Sequence, residues 1–469
     1  MKLKEIPGFI TDGPTGGPLP LNMYWEPDST TGQPAMLSTP GLDPKVTVGS
    51  GCIRNMLSFN SVLYVVSGGA LYSWTGSGAA TLQSGATVIS TSTAANQYWA
   101  SMAINYDPDG DYEIAITDEI NAKIFYYLID SDTYGSVATP TAIVPTNITY
   151  LQARFIIGEK GGNRMFSSGV DSATSWNVLH YNTKAAKPDR IKCVMAVGQD
   201  LWVFGETSTE IHYYTGQADV FPFDLMGGGV LDVGCISTAS VAVMDGSVYW
   251  LNDRVEVCRS TGYSYEVISP PILNDLLQGA AATSTTYVDD AVGYTVLWEG
   301  HPWYVLTLPT AGLTYVFDAA ARGAGQRGWI QLSSASTTGR HYGMCSANFK
   351  GDILVGSITG GAVYQLSDTV YTDNSLNNHR RKYGPTIYPG GEFARVNQVV
   401  AHGSFPATGS GYYLNLSAAG NTVAATSLTS PVRWAGMGAA QTIQPYIHYY
   451  GSGACSIYKV MADLSAGQR

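Results

Sequence analysis

The sequence predicts an all-β protein: a seven-bladed β-propeller-like body with an extended N-terminal arm and a small C-terminal β-sandwich. Three observations lead to that class. Aromatic and β-branched residues come in short runs punctuated by Gly, Ser, Thr and Asn, the pattern of short strands joined by tight turns. No apolar stripe recurs at helical spacing, and the best candidate, Pro271 to Leu277, is too short for more than one or two turns. A strand–turn–strand unit recurs along most of the chain.

The repeat is the strongest of the three. Its units begin at Leu63, Tyr112, Arg154, Leu201, Ser247, Trp303 and Ile353, so successive starts lie 49, 42, 47, 46, 56 and 50 residues apart. Each unit is an apolar strand, a short polar turn and a second strand ending in aromatics and Gly or Asp. That period leaves room for about four short strands, as in a propeller blade. A single blade cannot bury both of its faces, so blades stack radially around a channel. An irregular β-sandwich whose hairpins repeat by chance is the competing arrangement.

Residues 1–50, rich in Pro and Gly, read as an extended arm that packs on something else. The propeller-like body occupies 51–373. Residues 374–469 read as a linker and a C-terminal β domain. YTDNSLNNHRRKYGP carries no apolar periodicity, and the alternating segments beyond it, with a turn at Ala419-Gly420-Asn421, suffice for a small sandwich or meander.

Composition bounds the function. The 469 residues hold 36 acids against 25 bases, a net charge of −11, with charged residues only 13% of the total. A groove that grips phosphates needs clustered Lys and Arg, so this balance argues against one. A passage through which nucleic acid slides is still compatible, because an acidic or neutral wall does not hold the strand. The six cysteines are dispersed, with no C-x-x-C, and read as buried free thiols rather than a zinc site or disulfide framework. MKLKEIPGFITDGPTGG breaks at Pro and Gly before any apolar export region forms, and no run approaches the ~18 apolar residues of a membrane span. The expectation is a chain made and kept in a reducing cytoplasm until it is assembled.

Several constellations invite a chemical reading. In FGETSTEIHYYTG, Glu206 and Glu210 flank Thr-Ser-Thr with His212 close by; facing carboxylates about 5 Å apart are what a retaining glycosidase uses. The repeat register instead makes this loop one blade's hairpin tip. Asn105, Asp107, Asp109 and Gly110 match the start of a calcium loop, but Ile116 stands where the loop needs Glu, so a turn held by Asx side chains is the better account. In SSGVDSATSW, Asp171 and Trp176 keep the spacing of the Asp-box turn of sialidase-type propellers, with Gly169 and Ala173 departing from it. No G-x-S-x-G elbow, phosphate loop or H-E-x-x-H occurs. HRRK, His379 to Lys382, is the densest basic run and reads by default as a solvated linker. The sequence therefore offers no catalytic residue, no metal ligand and no cofactor.

Several motifs follow one another in a specific order. NMYWEPDSTTGQPAMLSTPGL (Asn22 to Leu42) is followed by DSATSWNVLHYNTKAAKPDRI (Asp171 to Ile191) and LWVFGETSTEIHYYTGQADVFPF (Leu201 to Phe223). VGCIS, DGSVYWLNDR and VISPPIL come next, then VYTDNSLNNHRRKYGPTI and VRWAGMG. This series resembles the packaged-DNA stabilisation proteins, or tail hubs (nozzles), of short-tailed podovirus bacteriophages, including the lambdoid type. It spans about residues 20 to 440. Met23 and Ser375 depart from the pattern, where an aliphatic residue and a glycine are usual.

The resemblance implies a structural virion protein rather than an enzyme. Such proteins look like homohexameric rings bound below the portal and its adaptor ring. They retain packaged DNA, carry the tail needle or tailspikes, and let the genome pass during ejection without sequence-specific binding. It implies a place in the virion tail after assembly in the host cytoplasm. Exposed aromatic and basic residues off the repeat are the candidates for partner contact: Tyr24 and Trp25 of the arm, with the adjacent Glu26, and Arg380, Arg381 and Lys382 of the linker. The alternative is a glycan-binding or glycan-hydrolysing β-propeller built around Glu206 and Glu210.

Overall fold

The fold was obtained as a computed structural model, which describes residues 3–6, 9–10, 18–27, 34–83, 89, 99–107, 110–217, 220–334, 338–386, 394–406, 412–416, 421–424, 431–435, 439–440 and 444–466. Seven four-stranded antiparallel blades make up its body. The recurring unit of the sequence supplies the second and third strands of each blade. In blade 4, for example, Asp200–Gly205 pairs with Thr209–Tyr214, placing Val203 opposite Glu210.

Blades 1 to 6 are continuous in sequence, opening with the strands Ile53–Phe59, Ser101–Ile104, Pro145–Leu151, Ile191–Val197, Ala242–Met244 and Val292–Trp298. Blade 7 takes three strands from 343–367 and its fourth, Gly41–Thr47, from the N-terminal region. That strand closes the ring: Leu42 lies opposite Leu366, fully buried. The first strands surround the axis, and blade 7 packs on blade 1 as neighbours do elsewhere. Between blades 4 and 5 the contact passes through the turn Thr238–Ser240.

Neighbouring first strands do not share a backbone ladder, so their buried polar groups need side-chain partners. Asn147 of blade 3 donates to the carbonyl of Val194 in blade 4 at 2.6 Å and accepts from its N–H at 2.9 Å. Ser101 of blade 2 bonds both backbone groups of Ile148, at 3.0 and 3.1 Å. Ser346 of blade 7 donates to the carbonyl of Thr295 in blade 6 at 2.8 Å. Between the sheets, large side chains complete the packing, including Trp202, Trp250, Tyr304 and Trp329.

The remaining strands form a sandwich. One sheet runs in the order Met23–Pro27, Pro34–Ser38, Ser456–Ala466, Ala394–Ser404, Val432–Ala435. The other contains Leu376–Tyr383, Pro445–Gly451, Tyr412–Leu416 and Asn421–Ala424, and is continuous with blade 7 through Thr372–Asp373. Met23, Met36, Val399, Trp434, Ile447 and Ile457 pack between them. Strands from the arm thus belong to both bodies. The Ala419-Gly420-Asn421 turn lies, but for Asn421, outside the described residues.

Two local expectations are corrected. A helix covers Pro271–Thr283, 13 residues rather than one or two turns. Only Leu273 and Leu277, four apart, are buried from it, so its apolar stripe is a single pair. Beyond Leu277, Ala280, Ala281 and Ala282 continue the helix on propensity, which leaves no pattern for a periodicity search to find. The segment read as an aperiodic linker contains the strand Leu376–Tyr383. It does alternate, but its buried side consists of Asn378, Arg380 and Lys382.

Candidate functional site

The hairpin that holds Glu206 and Glu210 does not bring them together as an acid–nucleophile pair. Glu210 points into a closed network at the junction of blades 3 and 4. Its Oε2 accepts from His212 Nε2 at 3.1 Å, its Oε1 accepts from the Ala186 N–H at 2.9 Å, and Lys184 Nζ lies 3.9 Å away. Lys184 is fully buried and also contacts Asp189 and, at 2.5 Å, Ser208 Oγ. Asp189 in turn accepts from the N–H groups of Thr207 and Ser208 at 2.8 and 2.9 Å, fixing the hairpin tip. Burial opposes ionisation of both carboxyls, but His212 and Lys184 outweigh it for Glu210, and Lys184 with the tip donors outweighs it for Asp189. Both therefore titrate below their ordinary range. Glu206 stays outside this network, at the propeller's end.

The other motifs are structural too. Asn105 is buried; its Oδ1 accepts from the Glu113 N–H at 2.7 Å and its Nδ2 donates to the Asp171 carbonyl at 2.8 Å. Asp109 lies outside the described residues. Among those described, no three His, Cys, Asp or Glu groups converge to hold a metal. Asp171 accepts from the Tyr150 hydroxyl, and Trp176 Nε1 donates to the Ala173 carbonyl at 2.7 Å, so this turn joins blades 2 and 3. All six cysteines are free, five of them buried.

The expected partner residues are less exposed than the sequence suggested. Tyr24 is buried, edge-on to His301 at 5.3 Å and Trp303 at 5.6 Å, because the strand Met23–Pro27 lies against blade 6. Trp25 is half-buried against the sandwich core. Glu26, also half-buried, accepts from His301 Nε2 at 2.5 Å, while His301 Nδ1 donates to Asp318 Oδ2 at 2.8 Å. Burial opposes protonation of His301, but the two carboxylates prevail and raise its pKa.

Arg380 and Lys382 are buried on the inner side of their strand. The Arg380 guanidinium stacks near Tyr371 and Tyr449 and donates to the carbonyls of Tyr371 at 2.6 Å and Gly451 at 3.1 Å. Arg381, on the outer side, lies between the Tyr383 and Tyr446 rings, 5.8 and 5.5 Å from their centroids. Register decides all three: neighbours on a strand face opposite sides, so a basic run is split between core and surface.

The propeller axis contains a cavity of about 220 Å³, lined by side chains such as Met102, Met195, Tyr294 and Met344. Trp99 lines part of it. The Trp99 carbonyl accepts from Arg54 Nη2 at 3.0 Å, and Asn55 Nδ2 donates to the Ala100 carbonyl at 2.8 Å. Trp99 also lines a larger, charged mouth of about 460 Å³, reached by Glu206. Sequence reasoning singled out Glu206 but missed Trp99, Lys192, Asp289 and Asp290 there. The register of the hairpin tips was the signal that could have gathered part of the mouth.

Comparison with known families is decisive for the lineage. A family model described as bacteriophage P22 Gp10, β-propeller, matches residues 17–371, the region that carries all seven blades. This chain belongs to that family. Membership in the Gp10 family makes it one of a group of phage structural proteins. Solved structures show more distant likeness. Virginiamycin B lyase from Staphylococcus aureus is 11% identical at a TM-score of 0.43, covering 71% of this chain and 98% of its own. BamB from Moraxella catarrhalis is 12% identical at 0.39, covering 78% and 98%. The extracellular domain of a one-component system from B. thetaiotaomicron is 10% identical at 0.42, covering 82% of this chain; the Gp10-family chain spans 46% of its length. A comparison with curated proteins finds no match. Among the described residues, no helix of this Gp10-family protein is long and apolar enough to cross a membrane.

Proposed function

We propose that this chain is a tail hub, or nozzle, subunit of a short-tailed phage: a non-enzymatic component of the virion tail. In this reading it forms a homohexameric ring below the portal-adaptor ring, retains packaged DNA, carries the needle or tailspikes, and frames the ejection path. It is assembled in the host cytoplasm. The observation that carries the reading is the Gp10-family match across the entire propeller.

The geometry supports a route between subunits rather than through one. The axial cavity of about 220 Å³ is narrowed by residues from all seven blades, among them Met102, Met195, Tyr294 and Met344, and a duplex whose major groove alone is about 12 Å wide does not fit such a space. A ring of acidic subunits supplies a lumen without gripping phosphates. Ring contacts need apolar surface, and the outer strand of blade 3 and the third strand of blade 4 offer it. Leu179 is 72% exposed and Tyr181 45%, with Tyr213 and Tyr214 nearby on blade 4. Of the six residues expected at a partner surface, Trp25, Glu26 and Arg381 keep part of their side chains outside the core and are assigned to that role.

The test is co-assembly. The purified chain, mixed with portal bearing its adaptor ring, is expected to add a six-fold ring visible by electron microscopy. Absence of a ring, together with hydrolysis of a glycan panel that Glu206→Gln abolishes, would overturn this reading in favour of a glycan-cleaving propeller.

A further inference from the structure

The charged mouth at Trp99 is built by five blades. Hairpin tips joining second and third strands bring Glu119, Lys160 and Glu206 from blades 2, 3 and 4. Segments entering the first strands of blades 4, 5 and 6 bring Lys192, Ile236 and Asp289–Asp290. Both kinds of loop lie at the same end of a propeller, so the convergence follows from the topology.

Its lining combines two chemistries. Trp99, Ile191, Ile236 and Val292 give an apolar floor, while Asp118, Glu119, Glu206, Asp289 and Asp290 face Lys160, Arg190 and Lys192. Five carboxylates meet three bases in the lining, and Arg54, bonded to the Trp99 carbonyl and interacting with Asp118 and Glu119, adds a fourth positive charge, which leaves one negative charge in excess. Lys160 is already engaged, with Glu119 Oε2 at 3.0 Å and the Glu119 carbonyl at 2.9 Å. Asp290 is 8% exposed; its Oδ2 takes both donors of Thr310, and its Oδ1 meets no donor. A buried carboxylate oxygen without a partner costs free energy that an incoming donor would recover. Burial also raises the pKa of Asp290 against the pull of Thr310, and that of Asp289 against Lys192, the direction expected where carboxylates lack sufficient positive charge.

An anion is disfavoured by the charge excess, and no three metal-ligating groups converge here among the described residues. An aliphatic and indole floor beside carboxylates suits a cation carried on a methylene chain, with the indole face adding attraction. We propose that this mouth binds an alkylammonium group, its nitrogen against Asp290 and Asp289 and its methylenes over Trp99 and Ile236. A free linear diamine and a lysine side chain of a partner share that chemistry. The inference goes beyond the tail-hub reading and stands or falls separately, since it requires no ring.

Calorimetric titration of the full chain at low salt tests it with three probes: cadaverine, the peptide acetyl-Gly-Lys-Gly-amide, and its norleucine counterpart. Saturable binding of one equivalent of cadaverine or of the lysine peptide is expected, with none for norleucine. Binding of cadaverine alone identifies a free amine as the ligand, and binding of the peptide assigns the site to a partner's lysine. Asp290→Asn and, because Asp290 also holds Thr310, the exposed Asp289→Asn are each expected to weaken binding by tenfold or more, with melting temperature checking the fold. Absence of saturation with both amines, equal binding of the norleucine peptide, or wild-type affinity in a folded Asp289→Asn variant would overturn the proposal.

Discussion

Glu26 Oε2 lies 2.5 Å from Nε2 of His301, so a carboxylate from the N-terminal strand closes on an imidazole of blade 6 that is 275 residues away in sequence. With Asp318 on its other nitrogen, His301 meets a carboxylate on each side, an arrangement that favours the cation. Because its folded pKa is raised, this contribution is fully present below the ordinary histidine range and is lost as pH rises through the raised value. Melting temperature is therefore expected to fall across the neutral-to-alkaline range. Glu26→Gln should lower stability by about 2 kcal/mol at pH 6 and flatten that dependence, as read by thermal denaturation at a series of pH values.

The two glutamates of the blade 4 hairpin should behave oppositely. Glu210→Gln leaves Lys184 and His212 short of a buried charge and is expected to cost about 3 kcal/mol in urea unfolding. Glu206→Gln, at the charged mouth and outside the Glu210 network, should stay within about 0.5 kcal/mol of wild type. Equal effects would mean that the hairpin network is not what stabilises this junction.

Ring closure depends on Leu42, buried completely between blades 6 and 7. Leu42→Ala is expected to cost about 3 kcal/mol, from lost transfer energy and the cavity left behind. Limited proteolysis should show earlier cleavage around both the N-terminal region and blade 7, because one strand pairing holds both.

Acid should loosen the sandwich. His379 Nδ1 and His448 Nε2 are 2.9 Å apart; burial and the neighbouring Arg381 lower both pKa values, that of His448 to about 4. A depressed histidine binds fewer protons folded than unfolded, so stability falls as pH drops from the ordinary histidine range towards about 4. His448→Gln should reduce that loss between pH 6 and 4, followed by tyrosine fluorescence or chemical denaturation.

What was legible in the sequence was the part written in apolar alternation. The seven hairpins announced themselves because their second strands are short apolar runs, such as the buried Leu63 to Val66 or Trp303 to Leu306. The ring's closing strand did not, since Gly41–Thr47 finds its partner at 362–367 and no local pattern encodes so distant a pairing. Leu376–Tyr383 was hidden because its core-facing residues are Asn378, Arg380 and Lys382, polar groups satisfied only by partners that folding supplies. Of the mouth, Glu206 was noticed for a supposed pairing with Glu210. Asp289 and Asp290 follow a helix that propensity, not pattern, extends.

The short connection Thr39–Pro40 gives the molecule a mechanical character. Pro34–Ser38 is woven into the sandwich and Gly41–Thr47 into blade 7, and the link between them spans roughly 10 Å even when fully extended. The return crossing, Thr372–Asp373 to Leu376–Tyr383, is equally short and on the same side. A pull on the sandwich thus reaches the propeller's closing seam, where Leu42 pairs with Leu366 and Asp373, through two short stitches in parallel.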